Sequence, residues 1–569
     1  MTPGRTERPA EEQASSVAVL DREALSATAA LSLDDALKQV PGFSLFRRTP
    51  SRAANPTAQG VSLRGLGASG ASRALVLADG VPLNDPFGGW VYWDRVPKAA
   101  VDHVEVMQGG ASDLYGSGAL GGVVNLARRT SDASAIAAEG SYGSQETRDG
   151  SLFASHRLGN LGVAVSAEAF RTDGYVAVDP DERGPVDTPV ASRSRAVEGS
   201  VRYDLGASGQ LFSRSSYFDE SRDNGTPLQK NDTRVRELLA GGEWATRGGS
   251  VSLRASGGNE TFRQTFSAVA ADRRTERLTG KQDVATSFEG ASLEWRHDLG
   301  RGHVLLAGAD WRLVRGTNDE ERVPGDISTL TSSSARQEHA ALFAEDLFRL
   351  TPRLTGTLAL RVDSVLNSEG TTATAAAATR FPDRSESLLS PRLTFAYAVS
   401  ERLRVGGSVG RSFRSPTLNE LYRSFRVGNV QTLANESLVA EKAFGGDVTA
   451  RANPTDDLSL RATFFLVTIE DPVANVTLQT TPVLITRQRR NLGRTRASGV
   501  ELGAEVRLGS MFSASGGYTF VDSRVTSFPA DATLEGNRVP QVPRHQATLQ
   551  VRYEPARVGR FGVQARVIS

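Results

Sequence analysis

The densest group of residues that could do chemistry in this chain is a cluster of aromatic rings, suited to contact and not to catalysis. Asn84-Asp-Pro-Phe-Gly-Gly-Trp-Val-Tyr-Trp93 crowds Phe87, Trp90, Tyr92 and Trp93 into ten residues. Aromatic faces over a polar cavity suit a flat or ring-bearing ligand, through stacking and apolar burial. The same rings could equally pack against neighbouring structure. Two glycine runs, Gly65-Leu-Gly-Ala-Ser-Gly70 and Gly116-Ser-Gly-Ala-Leu-Gly121, fit the GxGxxG pattern. A dinucleotide site needs that turn to lead from a strand into a helix, so that phosphate meets the helix N-terminus. ASRALVLADG and GVVNLARR follow instead, and both read as strands, so these are turn glycines. Asp179, Asp181, Glu182 and Asp187 supply carboxylate oxygens of the kind that hold Ca²⁺, though such a cluster is commonly solvated loop charge. The histidines at 103, 156, 297, 303, 339 and 545 are scattered. His297 and His303 are close in sequence but fall on separate predicted strands. There is no cysteine, hence no disulfide framework and no thiolate metal site, and no GxSxG nucleophile motif stands out.

The elements that position these residues begin with a turn-dense stretch from Gly60 to Arg128. VSLR, ALVLADG, VDHVEV and GVVNLA are short, apolar or alternating, and separated by Gly, Asn, Asp and Pro. Before them, SVAVLD from Ser16 reads as a strand and Ser26–Val40 as one or two short helices. Ser32 is a candidate N-cap, and Asp34 and Asp35 fall where a helix dipole favours negative charge. Pro41-Gly42 ends the helical part, and GFSLFRR reads as a further strand.

After about Thr130 the pattern changes to alternating runs of roughly 9–12 residues, the length a tilted strand needs to cross a bilayer. Short turns such as RLGN (157–160), LGAS (205–208) and TRGG (246–249) alternate with longer polar stretches at Tyr175–Ser194, Asp219–Arg236 and Asp319–Arg336. No run of 18 apolar residues occurs, which excludes a membrane-crossing helix and leaves a membrane barrel open. A net charge of +1 argues against a general nucleic-acid binder.

LRG at 63–65, LVLADGVPLND at 75–85, VDHVEVMQGG at 101–110 and LYGSGALGGVVN at 114–125 closely resemble the plug domain of TonB-dependent outer-membrane receptors. RSFRSPTLNELYRSF (411–425), GNVQTLANESLVAEKAF (428–444), NLGRTRASGVELGAEVRL (491–508) and GNRVPQVPRHQATLQVRYEP (536–555) are similar to stretches of the barrel in the same family. The fold this implies is mainly β: a transmembrane antiparallel β-barrel with an N-terminal mixed α/β plug inside its lumen. The expected division is an extension at 1–15 following the TonB box, a plug at 16–130 and a barrel at 131–569. About 19 strand candidates can be marked, against about 22 in plugged transporters, and the expectation is that some three C-terminal strands are missing. A signal peptide and the TonB box are expected to precede Met1.

The resemblance also implies roles. Ligand would dock at the plug apex, on Arg52, Asn55, Ser69, Asn84, Asp85, Phe87, Trp90, Tyr92 and Trp93. Family plug arginines pair with two barrel glutamates, which carries over to Arg64 with Glu441 and Glu501. Gln108 stands where the second arginine is expected, leaving the network one cation short. No cofactor is implied by it; Ca²⁺ in an outer loop rests on the acidic cluster at 179–187 alone. Partners would be TonB with its inner-membrane energising complex, a small metal chelate or vitamin (iron-siderophore or cobalamin), and outer-membrane lipid. The chain is expected to act as a monomer and to catalyse no reaction. The rival readings are a passive porin-like channel and an NAD- or ATP-dependent enzyme.

Overall fold

The computed structural model describes residues 16–28, 30–47, 49–67, 70–323, 329–555 and 559–569. The expected extension at 1–15 and Ser69 lie outside the described residues.

The first unit is a five-stranded sheet in the order Ser16–Leu20, Val101–Gln108, Gly122–Arg128, Leu75–Ala78, Val81–Pro82. Leu75–Ala78 runs parallel to Gly122–Arg128, and the other pairs are antiparallel. Val76, Val104, Val106 and Val124 are fully buried in it. Each such side chain contributes roughly 1.5–3 kcal/mol. The helices Arg22–Ala27 and Leu33–Leu37 cover its side through Leu25, Leu33 and Leu37. Asp21 caps the first, its Oδ1 accepting from Ala24 N at 2.7 Å. Ser32 does occupy the N-cap position of the second but caps nothing. Its hydroxyl donates to Asp34 Oδ1 at 2.5 Å, and Asp34 in turn accepts from Ser51 N and Oγ. Asp34 is fully buried, so it ties down the 49–55 loop and does not serve as solvated dipole charge.

The glycine run at 116–121 is a turn. Gly116 and Gly118 have φ of +66° and +92°, and they lead from the short helix Ser112–Tyr115 into the strand Gly122–Arg128. That is the reverse of the strand-to-helix order a phosphate site requires.

A closed barrel surrounds this unit. Among the described residues twenty strands lie in its ring, one of which, Ala378–Arg380, is a short piece beside the outer end of Leu354–Thr374. The remaining nineteen cross the wall, the first Ala135–Gly143 and the last Phe561–Ile568. Successive strands are antiparallel and nineteen is odd, so the first and last run in the same direction where the ring closes. The side-chain alternation is that of a wall between two media. Arg361 and Asp363 are 4% and 1% exposed inside, whereas Val362 between them is 50% exposed outside. No helix of the described residues is long and apolar enough to cross a membrane.

Two of the three long polar stretches prove to be strand. Gly209–Asp223 pairs with Lys230–Thr246, and His303–Arg322 with Thr329–Thr351, so only 224–229 and 323–328 lie between them. Strands of up to 25 residues, as in Glu276–Gly300, exceed what a bilayer needs and project beyond it. Both faces of such a projection are wet, which erases the apolar alternation a sequence reading depends on. Outside the barrel a four-stranded sheet, in the order Phe425–Val427, Val430–Leu433, Ile485–Asn491, Val473–Thr480, joins two connections.

Candidate functional site

The plug is fastened to the wall by buried charge. Arg64 is 1% exposed and sits at a positive φ of 51°, which the following Gly65 continues. Its Nη1 lies 2.8 Å from Asp447 Oδ2 and its Nη2 3.5 Å from Glu501 Oε2, with the Phe465 ring 5.0 Å from the guanidinium carbon. Burial alone would lower the Arg64 pKa; Glu501 and Asp447 outweigh it and raise it. Gln108 occupies the position beside this pair. Its Nε2 donates to Glu501 Oε1 at 3.0 Å and to Pro41 O at 2.5 Å, and its Oε1 accepts from Ser16 Oγ. A neutral amide thus makes the hydrogen bond to the second carboxylate oxygen, while Arg461 acts on Glu501 through its charge alone.

Glu441 is not joined to Arg64. It forms a separate chain that the sequence reading missed, apart from Glu441 itself. Arg73 of the plug donates to Glu441 through Nη2 at 2.6 Å and Nε at 3.1 Å. Arg414 of the wall donates to Glu441 Oε2 through Nε at 2.6 Å and to Glu420 Oε2 through Nη1 at 2.8 Å. Glu420 lies in the helix Leu418–Tyr422 and closes a capping box with Thr417. All four side chains are buried, and the chain of charges alternates Arg73, Glu441, Arg414, Glu420. The signal in the sequence was RSFRSPTLNELY, where Thr417 and Glu420 spell a capping box three residues beyond Arg414.

The aromatic loop is not an open ligand platform. Phe87, Trp90, Tyr92 and Trp93 are each at most 4% exposed. Trp90 packs on Phe262 with centroids 5.7 Å apart, Tyr92 on Phe218 at 5.9 Å, and Trp93 on Phe43 of the plug at 6.1 Å. Two of the rings therefore key the plug into the wall. Asp85 shapes the loop: its Oδ1 accepts from Phe87 N and Gly88 N, and its Oδ2 from Tyr92 Oη at 3.2 Å. Asn84 is likewise spent on backbone, Oδ1 accepting from Val76 N and Nδ2 donating to Ala74 O. Asn55 caps the turn Pro56–Ala58, and Arg52 contributes its carbonyl to Ser192 Oγ at 3.0 Å.

The acidic loop does not make the calcium site expected of it. Asp187 is engaged by Arg273 and by Gly184 N, and Asp179 turns back onto Asp181 N. Among the described residues no group of three or more His, Asp or Glu is arranged to hold a metal. Asp181 and Glu182 stay exposed at the surface, while Asp187 is committed to Arg273 and Gly184 N.

Above the plug, the outer sheet carries a different surface. Phe425 lies between Arg423 at 4.5 Å and Arg489 at 5.4 Å. Arg489 also donates to Asn419 O at 2.6 Å. Burial, then the nearby Arg423 and Arg414, bring the Arg489 pKa down to about 10 against the pull of Glu420. Arg426 and Arg490 are exposed on the same sheet.

Residues 153–569 match the family model for the TonB dependent receptor-like β-barrel, and residues 9–123 that for the TonB-dependent receptor plug domain. The chain is 24% identical over 480 residues to the vitamin B12 transporter BtuB of Vibrio vulnificus, covering 80% of this chain and 70% of that protein. It is 26% identical over 534 residues to the ferric enterobactin receptor PirA of Pseudomonas aeruginosa, covering 76% and 67%. Among solved structures, the ferric-catecholate import receptor Fiu of E. coli K12 in its closed form superposes with a TM-score of 0.78 at 18% identity, over 99% of this chain and 87% of that one. The ferric yersiniabactin uptake receptor FyuA of Yersinia pestis does so with a TM-score of 0.74 at 18% identity, over 97% and 86%. A lipid-facing barrel, a lumenal plug bolted to it by buried charge and both family matches lead to one assignment. The chain belongs to the TonB-dependent receptors of the bacterial outer membrane, transport proteins and not enzymes.

Proposed function

We propose that this receptor imports a scarce metal chelate or vitamin, an iron-siderophore or a cobalamin-like compound, with residues 16–130 acting as the gate in a barrel of 131–569. The observation that carries the reading is the chain Glu420–Arg414–Glu441–Arg73, which runs from a helix of an outer connection through the wall into the plug. A ligand that moves the helix Leu418–Tyr422 shifts Glu420, and through Arg414 the plug contact of Arg73. Such a ligand biases the plug only to the extent that it binds the two arrangements differently. It would dock on the outer sheet around Phe425, with its arginines, above the loop Asn84–Trp93, whose buried rings form the floor. TonB would draw on the N-terminal segment by strand addition and supply the work.

The test is accumulation of radiolabelled ferric chelates and cobalamin by cells that carry this receptor alone, with and without TonB. Saturable uptake of one compound, abolished without TonB, is the expected result. Uptake that is linear in concentration, independent of TonB and unchanged on deleting residues 1–130 would establish a passive channel instead.

A further inference from the structure

Between the plug and the wall, from the strand Leu161–Thr172 round to Leu354–Thr374, lies a cavity of about 900 Å³. Its wall arginines Arg202, Arg214, Arg254, Arg361 and Arg414 are each paired with carboxylates. Arg312 is the exception. Its side chain lines the cavity, and among the described residues it makes neither an ion pair nor a hydrogen bond. Asp85 is the carboxylate whose charge it feels, but the oxygens of Asp85 are taken by Phe87 N, Gly88 N and Tyr92 Oη.

The strand register makes room in front of this guanidinium. Ser256, Gly290, Arg312 and His339 stand opposite one another across four neighbouring strands, and all four line the cavity. Gly290 presents no side chain, so space opens directly beside Arg312. On the other side His339 donates from Nε2 to Gln337 Oε1 at 3.2 Å, and its ring lies in reach of both Arg312 and Arg361. The result is a single guanidinium, that of Arg312, with free N–H groups facing the cavity, in a wall where an uncompensated cation is expensive to keep.

We propose that this cavity is an interior binding site for an anionic solute, with Arg312 as its anchor and a carboxylate-bearing chelate as its ligand. A planar guanidinium with its donors free is matched to a carboxylate in charge and in geometry. The proposal rests on the importer reading for its physiological meaning, the ligand being held here on its way past the plug. The site itself can be tested without transport.

The chain has no cysteine, so Ser256→Cys in the full-length protein creates a unique thiol facing the cavity. Two strand spacings, about 10 Å, separate it from Arg312. The rates of modification by an anionic and a cationic methanethiosulfonate are compared in detergent. An unpaired cation raises the local concentration of anions. The anionic reagent should therefore react several-fold faster, and millimolar citrate should slow it. Both effects should vanish in Ser256→Cys/Arg312→Gln and persist in Ser256→Cys/Arg312→Lys, each variant being checked for the heat-modifiable mobility of a folded barrel. The same rate ratio with and without Arg312, or no modification by either reagent, would overturn the proposal. Charge-selective labelling in a protein that fails the uptake test would keep the site and discard the importer reading. Uptake with no selectivity would do the reverse.

Discussion

Arg73 of the plug and Glu441 of the wall meet through two hydrogen bonds, at 2.6 and 3.1 Å, with no exposure of the carboxylate. Glu441 also receives Val473 N at 2.6 Å, so its oxygens are held from the plug, from Arg414 and from the backbone. Breaking such a pair leaves a charge buried without its partner, which costs about 3–5 kcal/mol. Arg73→Met should therefore lower the urea concentration at which the plug becomes protease-sensitive, while the barrel keeps its heat-modifiable mobility. A midpoint equal to that of the parent protein would mean that the pair contributes nothing to docking.

Gln108 holds the other anchor in a neutral form. Its amide bonds Glu501 Oε1, Pro41 O and Ser16 Oγ at once, in a position with no exposure. Gln108→Ala removes all three and strands one oxygen of Glu501. The expected loss is about 1–3 kcal/mol of plug docking. Gln108→Glu should be worse, because a second carboxylate would then face Glu501. The ranking parent, Ala, Glu in the same urea titration checks this, and a Glu variant as firm as the parent contradicts it.

Asp94 makes plug docking depend on pH. It accepts from Ser194 Oγ of the wall at 2.9 Å, and its pKa is raised to about 7, first by burial and then by Glu220, against the opposing pull of Arg222 and Ser194. The docked plug thus holds a proton that the released plug has given up above the ordinary aspartate range near pH 4. Docked protein binds more protons than released protein between about pH 4 and 7, so docking weakens as pH rises through that window and levels off above it. Asp94→Asn keeps the acceptor for Ser194 and should flatten this part of the profile. It should also leave the plug firmer than the parent at pH 8. An unchanged slope in the variant would assign the pH dependence to other groups.

Much of this was legible in the chain, for identifiable reasons. Val362 between Arg361 and Asp363 shows how period-2 alternation reports the wall wherever one face meets lipid and the other the lumen. The plug strands were marked by turn glycines and by their Val and Leu. What failed to show were contacts made across hundreds of residues. Arg73 and Glu441 are 368 positions apart, and nothing local distinguishes Arg73 from a solvated arginine. Asp447 has the same character, since it reaches Arg64 across 383 positions. The outer parts of the strands Gly209–Asp223, Lys230–Thr246, His303–Arg322 and Thr329–Thr351, expected as polar loops, were hidden by polarity on both faces. The rings of Phe87–Trp93 could be seen to cluster, but whether they faced ligand or wall depended on Phe218 and Phe262, which no spacing connects to them.

Trp90 and Gly88 bring that last point to a test. A Cβ on Gly88 would lie 1.8 Å from Cζ3 of Trp90, inside the ring, so the glycine is what lets the indole lie flat against the loop and reach Phe262. Gly88→Ala should push Trp90 off its seat, and Trp90→Ala should empty it, at a cost of about 3–5 kcal/mol for losing a buried aromatic. Trp90→Phe keeps a ring and should retain most of the docking. In a parent protein with Trp244, Trp295 and Trp311 replaced by Phe, Trp90 and Trp93 are the remaining indoles and are shielded. Acrylamide should therefore quench their emission poorly, and Gly88→Ala in that background should open Trp90 to quencher and shift its emission to the red. Ready quenching in the parent would mean that the rings face solvent and are free to take ligand, and the packing role argued from Phe262 would fall.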